Sequence, residues 1–140
     1  MAKATAKRKG ITRQKLTDMK TLLDSNIIIY LGTDKAAQIE NILVDKELNV
    51  SVITKVETLG YHKLSDKEKK FLNMLFDRIN VIPLDEDIIT SAIHIKQHRK
   101  TSLGDALIAA TALTKKLTLV TNNTDDFENI KGLKLIDPLR

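Results

Sequence analysis

The 140-residue sequence contains no cysteine. Disulfides, thiolate metal sites and a cysteine nucleophile are therefore excluded. Histidine is scarce: His62, His94 and His98 are the only three, and none stands in an HExxH-type pair. A histidine-based zinc enzyme or a Ser-His-Asp hydrolase does not fit that supply. Aromatic residues make up 4% of the chain and there is no tryptophan, so little surface exists for stacking single-stranded bases. Five glycines and two prolines give no low-complexity or collagen-like stretch. The longest apolar runs, such as Ile27 to Leu31, fall far short of the ~20 residues of a membrane span. No signal-peptide core is visible. These absences suit a cytoplasmic protein with no membrane role.

What is present is an ordinary globular composition, 42% hydrophobic and 29% charged, on a chain long enough for one domain with its own core. The net charge of +5 is unevenly placed. Residues 1–20 hold seven Lys/Arg against Asp18, a net of +6, whereas residues 21–140 hold 16 Lys/Arg against 17 Asp/Glu, a net of −1. The basicity therefore belongs to the N-terminal segment, and the pI says little about the body. Residues 1–18 lack apolar periodicity and read as a basic, disordered extension, with the domain at 19–140. Met19 opens a segment that resembles a natural protein start. A basic arm touching RNA phosphates is the competing reading of the extension.

Strand and helix patterns alternate along the body. Thr21–Leu23, Asn49–Thr54, Val81–Leu84, Leu117–Thr121 and Leu133–Ile136 read as strands. Helices are expected over Asn26–Gly32, over Asp34–Asp45 with a stripe of Ala36, Ile39, Ile42 and Leu43, and from Lys55 to Leu64. Three more are expected: Ser65 to about Arg78, Glu86–His98 and Ser102–Lys116. Ser65 and Glu68 form a capping-box pattern, and that helix should bury Phe71, Leu72, Leu75 and Phe76. About five short strands separated by helices imply an α/β fold: a parallel sheet covered on both faces, in three α/β/α layers.

Four acids stand near element ends. Asp24, Glu57 and Asp126 each follow a predicted strand, so they belong at the carboxyl end of the sheet, where ligands gather in open α/β folds. Asp105 follows a helix, and spacing alone does not place it. Each acid taken singly reads equally well as a helix cap: Thr54-x-x-Glu57 and Ser102-x-x-Asp105 are near capping boxes, and Asp24 precedes a helix. Capping does not explain several acids at one sheet edge. Crowded carboxylates raise one another's pKa unless a cation intervenes. An oxygen-only donor set selects a hard ion, Mg²⁺ or Mn²⁺. Such a site suits hydrolysis of a phosphodiester by metal-activated water.

Leu22-Leu-Asp-Ser-Asn-Ile-Ile-Ile-Tyr, Ser51-Val-Ile-Thr-Lys-Val-Glu, Ser102-Leu-Gly-Asp-Ala-Leu-Ile-Ala-Ala and Leu119-Val-Thr-Asn-Asn-Thr-Asp-Asp-Phe resemble, in order and spacing, a PIN domain of the VapC toxin type. The likeness runs from about Met19 to the end. It implies a Mg²⁺-dependent endoribonuclease, the toxin of a type II toxin–antitoxin pair, often a homodimer and blocked by a cognate antitoxin. By that resemblance Asp24, Glu57, Asp105 and Asp126 are the catalytic, metal-holding acids. Asp24 and Asp105 are the direct ligands, while Glu57 and Asp126 act through water or position the nucleophile. Ser25, Asn26, Thr121 and Asn123 are the supporting polar residues. Asn122 stands where the family often has a basic residue. Lys55, Arg99 and Lys100 flank the acidic motifs and could contact RNA phosphates instead, or could simply be solvated helix ends.

His98 lies near Lys100, but it reads better as a solvated helix end, and His62 and His94 read as structural. Tyr30 and Tyr61 are expected to pack rather than stack on bases. The helices at 34–45 and 66–78 are candidate dimer or antitoxin surfaces. Two other functions remain open at this stage. One is a haloacid-dehalogenase-like phosphatase with Asp24 as nucleophile, although Asn26 stands where a second Asp belongs. The other is a PIN-like module that binds RNA or protein without cutting.

Overall fold

The computed structural model describes residues 19–140; the expected basic extension, 1–18, lies outside them. Five strands form one sheet: β1 (Lys20–Leu23), β2 (Glu47–Ser51), β3 (Asn80–Ile82), β4 (Thr118–Val120) and β5 (Leu135–Ile136). All pairings are parallel and the order is β3-β2-β1-β4-β5. Among the described residues six α-helices accompany them: α1 (Ser25–Tyr30), α2 (Ala36–Leu43), α3 (Val52–Leu59), α4 (Asp66–Arg78), α5 (Glu86–His98) and α6 (Leu103–Lys115).

The strand period of two divides the core. Leu22, Leu119 and Leu135 face a cluster built with Ile88, Ala92 and Ile95 of α5 and Ala106 to Ala110 of α6. Leu23, Val50 and Val120 face the opposite cluster, with Ile27 and Ile28 of α1, Ile39 and Leu43 of α2, and Leu72 and Phe76 of α4. The expected α/β/α sandwich is present. Helix α6 explains its alanine richness: residues Ala106 to Ala112 are buried without interruption. Small side chains let it press on the sheet, α5 and α3 together.

Several boundaries differ from expectation. The second strand is Glu47–Ser51, not Asn49–Thr54, because Ser51 accepts a hydrogen bond from Ile53 N (3.0 Å) and caps α3. The β-branched run Val52-Ile53-Thr54 is thereby helical; a cap and tertiary packing override its strand propensity. That helix ends at Leu59 with Gly60 as its C-cap, earlier than Leu64. Helix α1 ends at Tyr30, two residues before Gly32. The third and fifth strands are shorter than the sequence suggests. On α2, Ile39 and Leu43 are buried, but Ile42 is 37% exposed and leaves the expected stripe. On α4 the capping box of Ser65 and Glu68 is complete. Leu72 and Phe76 are buried, and Phe71 and Leu75 only partly so. Helix α5 has the expected limits.

Candidate functional site

The strand order reverses direction between β1 and β4, the two neighbours whose crossovers leave toward opposite edges. In open parallel sheets this reversal opens a crevice at the carboxyl ends of the strands. Asp24 closes β1 there, and Thr121 follows β4. Asp24 N donates to Val120 O (2.9 Å), so the two strand ends are stitched together at this point. The side chains continue the link. Thr121 Oγ1 donates to Asp24 Oδ2 (2.7 Å) and Ser25 N donates to Asp24 Oδ1 (2.8 Å). Asp24 thus caps α1 while sitting 5% exposed in the crevice.

Glu57 approaches from α3. Its Oε1 accepts from Ser25 Oγ (2.7 Å), and Ser25 Oγ lies 3.2 Å from Thr54 Oγ1. Thr54 is fully buried and does not cap a helix, since Ser51 does; the capping-box reading of Thr54 and Glu57 is therefore wrong. The other oxygen of Glu57 lies over Gly104: a Cβ at that glycine would meet Glu57 Oε2 at 2.6 Å. Glu57 consequently bridges α1 and the start of α6. Asp105 sits in the first turn of α6, where its N donates to Ser102 Oγ (3.1 Å); there Ser102 is a true cap. Asp126 lies in a short 3₁₀ turn, Thr124–Asp126, after β4. The turn starts where Asn123 N donates to Thr121 Oγ1 (3.0 Å), and Phe127, 1% exposed, anchors its end in the core.

The electrostatics tie the four acids together. Burial raises the pKa of Asp24 above its ordinary value, with added repulsion from Asp105 and Glu57 and partial relief from the Thr121 and Ser25 hydrogen bonds. Burial also raises Asp105, reinforced by the charges of Asp126 and Glu57. Asp24 and Asp105 are thus close enough for their charges to be felt, and Glu57, held by Ser25 and lying over Gly104, stands beside both of their helix starts. As they stand, the described residues do not gather three His, Asp or Glu side chains tightly enough to grip an ion. Asp24 and Glu57 instead rest on the hydroxyls of Thr121 and Ser25. The donor set is nonetheless oxygen-only, and two of its members, Asp24 and Asp105, are raised in pKa first by burial and then by neighbouring acids, a charge that a hard divalent cation relieves.

The remaining candidates separate. Asn123 is exposed at the rim. Asn26 keeps both side-chain polar atoms buried without a partner. Asn122 Nδ2 lies 3.2 and 3.4 Å from the two oxygens of Asp137, so this position is turned toward the C-terminal segment. Lys55 and Lys100 are exposed, and neither side chain makes a hydrogen bond among the described residues; Lys55 is two residues from Glu57 on a helix and so leaves from another face. Arg99 is committed to the protein: Nη1 donates to Glu128 O (2.9 Å) and Nη2 to Asp126 O (3.3 Å). His62, His94 and His98 are exposed, the last two ring on ring at 4.2 Å. Tyr30 is half-buried and Tyr61 is 53% exposed. Thr54 and Gly104 are the site residues that sequence reasoning missed. A glycine inside a helical first turn is a cost without packing benefit, and it signals a close approach.

A three-layer sheet with acids at its switch point defines the class, a PIN-type α/β domain. Residues 21–133 match the PIN domain, and the chain belongs to that family. Its relatives narrow the type. The chain is 30% identical over 131 residues to ribonuclease VapC1 of Haemophilus influenzae (strain R2866), covering 83% of this chain and 96% of the relative. It is 29% identical over 129 residues to the tRNA(fMet)-specific endonuclease VapC of Shigella flexneri, covering 85% and 98%. Among solved structures it resembles VapBC-1 from nontypeable Haemophilus influenzae, at 28% identity, TM-score 0.75 and coverage of 87% and 100%. It also resembles a toxin–antitoxin complex from Klebsiella pneumoniae, at 30% identity, TM-score 0.71 and coverage of 84% and 97%.

Proposed function

We propose that this PIN domain is a Mg²⁺-dependent endoribonuclease, the toxin of a toxin–antitoxin pair. The observation that carries the reading is the acidic crevice at the strand ends, where Asp24 is held by Thr121 and Ser25, and Glu57 is held by Ser25 over Gly104, the residue before Asp105; burial and neighbouring acids raise Asp24 and Asp105 in pKa. Family membership and the named ribonuclease relatives support it.

Asp24 and Asp105 would hold the cation, with Glu57 and Asp126 completing its surroundings; Mn²⁺ fits the same donors. When bound, the ion supplies Lewis-acid polarisation of the phosphoryl oxygen and a lowered pKa for water. The chain's own work is orientation. Thr121 fixes one oxygen of Asp24, and the α1 N-terminus fixes the other. Ser25 holds Glu57 where it can take a proton from an attacking water. Glu57 is exposed, so a proton accepted there passes readily to solvent. Attack in line with the 3′ oxygen as leaving group leaves a 5′-phosphate and a 3′-hydroxyl. Asn123, which is exposed, would meet the RNA backbone.

An antitoxin partner has a fitting surface next to these acids. An apolar groove between α1, α3 and α4, lined by Ile29, Leu31, Tyr61, Leu64 and Phe71, opens beside Glu57. Ile29 is 58% exposed, an apolar surface of the sort partners cover. A homodimer is a further part of this reading. No described helix is long and apolar enough to cross a membrane. The phosphatase alternative gains no support, because Asn26 stands where a second Asp would be needed, with both its side-chain polar atoms buried.

The test is cleavage of a structured RNA by the purified chain in Mg²⁺, in EDTA and with Asp105→Asn. Cleavage that needs the cation and disappears in the variant is expected. Cleavage undiminished by Asp105→Asn would falsify the mechanism, and RNA binding without any cutting would favour the non-catalytic module.

A further inference from the structure

Asp126 sits on the weakest support of the four acids. Asp24 ends a central strand, and Glu57 and Asp105 ride on α-helices. Asp126 ends a three-residue 3₁₀ turn whose N-cap, Asn123, makes no side-chain capping bond. Such a turn has little stiffness of its own. It is nevertheless tied down at three points. Thr121 Oγ1 accepts from Asn123 N at its start, and Phe127 is sunk in the core at its end. The third tie comes from 27 residues away along the chain: the Arg99 guanidinium bonds the carbonyls of Asp126 and Glu128.

Arg99 is itself well placed to hold rather than to swing. It is the C-cap residue of α5, in extended backbone, and its own N–H donates to Ile95 O. Its Nε is buried with no partner, so the guanidinium stem is enclosed by protein. The two terminal nitrogens make their bonds at the surface, but both are spent on backbone carbonyls of the same segment. Two charge-assisted bonds to backbone carbonyls on either side of Phe127 fix the peptide planes that set the direction of the Asp126 side chain.

We propose that Arg99 is the positioning residue for Asp126: it locks the 126–128 backbone to the end of α5 and so holds the Asp126 carboxylate toward Asp105. The proposal rests on the nuclease reading above. A guanidinium suits the task better than an ammonium, because a lysine would reach the carbonyls as a point charge without the planar fork and so serve only in part.

The experiment compares the full chain with Arg99→Ala, Arg99→Lys, Asp126→Asn and the double variant Arg99→Ala/Asp126→Asn. Three quantities are read: kcat and KM for RNA cleavage in Mg²⁺, the Mn²⁺ dissociation constant from the EPR signal of free ion without RNA, and amide exchange at 126–128. Arg99→Ala is expected to lower kcat by roughly ten- to a hundredfold, the usual penalty for a site group displaced by about an ångström. It should leave KM within about twofold and weaken Mn²⁺ binding in the same direction as Asp126→Asn. Exchange at 126–128 should quicken, and Arg99→Lys should recover part of the rate. In the Asp126→Asn background the loss from Arg99→Ala should shrink to about twofold or less, since groups acting through one another are not additive. Equal losses in both backgrounds, or a rise in KM with kcat unchanged, would overturn the proposal and make Arg99 a general stabiliser or an RNA contact. A wild-type chain that neither cleaves RNA nor binds Mn²⁺ overturns the nuclease reading, and the proposal with it.

Discussion

At the scale of single residues, the crevice is built from side chains that each serve two partners. Thr121 is the clearest. Its hydroxyl donates to Asp24 and accepts from Asn123 N while completely buried. Thr121→Val keeps the shape but takes the acceptor from the part-buried Asn123 N–H and the donor from the buried Asp24 carboxylate. A loss of about 1–3 kcal/mol is expected, read by urea unfolding. Gly104 works in the other sense. Gly104→Ala improves helix propensity by about 0.5–1 kcal/mol, yet its methyl displaces the Glu57 carboxylate. We expect a thermal midpoint equal to or above wild type together with lower kcat; full activity would show that Glu57 has room to spare. Asp24, Asp105 and Asp126 stood out in the sequence because each sits beside an element boundary, whereas Glu57 was expected at one and instead rides within α3. Thr54 and Gly104 did not stand out, since a hydroxyl facing another hydroxyl and a missing Cβ leave no periodic signal. Arg99 was visible as a charge, but a charge in a sequence does not say whether it faces solvent or a carbonyl.

At the scale of elements, caps decide where helices begin, and through them where the acids point. Ser51 turns a β-branched run into the first turn of α3, which is what lifts Glu57 to the crevice. Had the strand run on to Thr54, Glu57 would have started its helix instead of riding mid-helix beside Ser25. The sequence showed the strand and the helix but misplaced the junction by three residues, since propensity averages over a window and a cap is one hydrogen bond. Caps away from the crevice behave as ordinary stabilisers. Ser65→Ala removes one half of the α4 capping box, the Ser65 Oγ that accepts from Glu68 N, and leaves the residue-65 N–H to donate to Glu68 Oε1. It should cost about 1 kcal/mol, seen as a shifted urea midpoint with RNA cleavage unchanged. A change in kcat there would mean that α4 communicates with the crevice.

For the whole molecule, the acids make stability depend on pH and on the cation together. Asp24 and Asp105 both have folded-state pKa values above the ordinary 3.8. Their contribution to stability is present in full below that value and is lost as pH rises through the folded-state values. In EDTA, Asp24→Asn and Asp105→Asn should therefore match wild type near pH 3.5 and melt higher at neutral pH. Roughly 2–8 °C is expected per kcal/mol of removed repulsion. Excess Mg²⁺ should reverse the order at neutral pH, because only wild type gains by binding it. Thermal midpoints at two pH values, with and without the cation, check both signs; variants that never melt above wild type in EDTA would show that the acids are too well solvated to repel. The switch point that gathers the acids follows from the strand order, which no local pattern encodes. The alternation of elements announced a parallel sheet but not which strand would lie at its centre.

The central position of β1 has a practical corollary. Everything up to Gly60 contributes Asp24 and Glu57, and everything after the exposed Tyr61–Lys63 turn contributes Asp105 and Asp126. A chain severed in that turn would yield two polypeptides, each carrying half of the cluster and neither carrying β1 together with β4. Reassembly of the pieces would be needed to restore the crevice, so the turn marks a natural place to divide this domain into a conditional, two-component reagent.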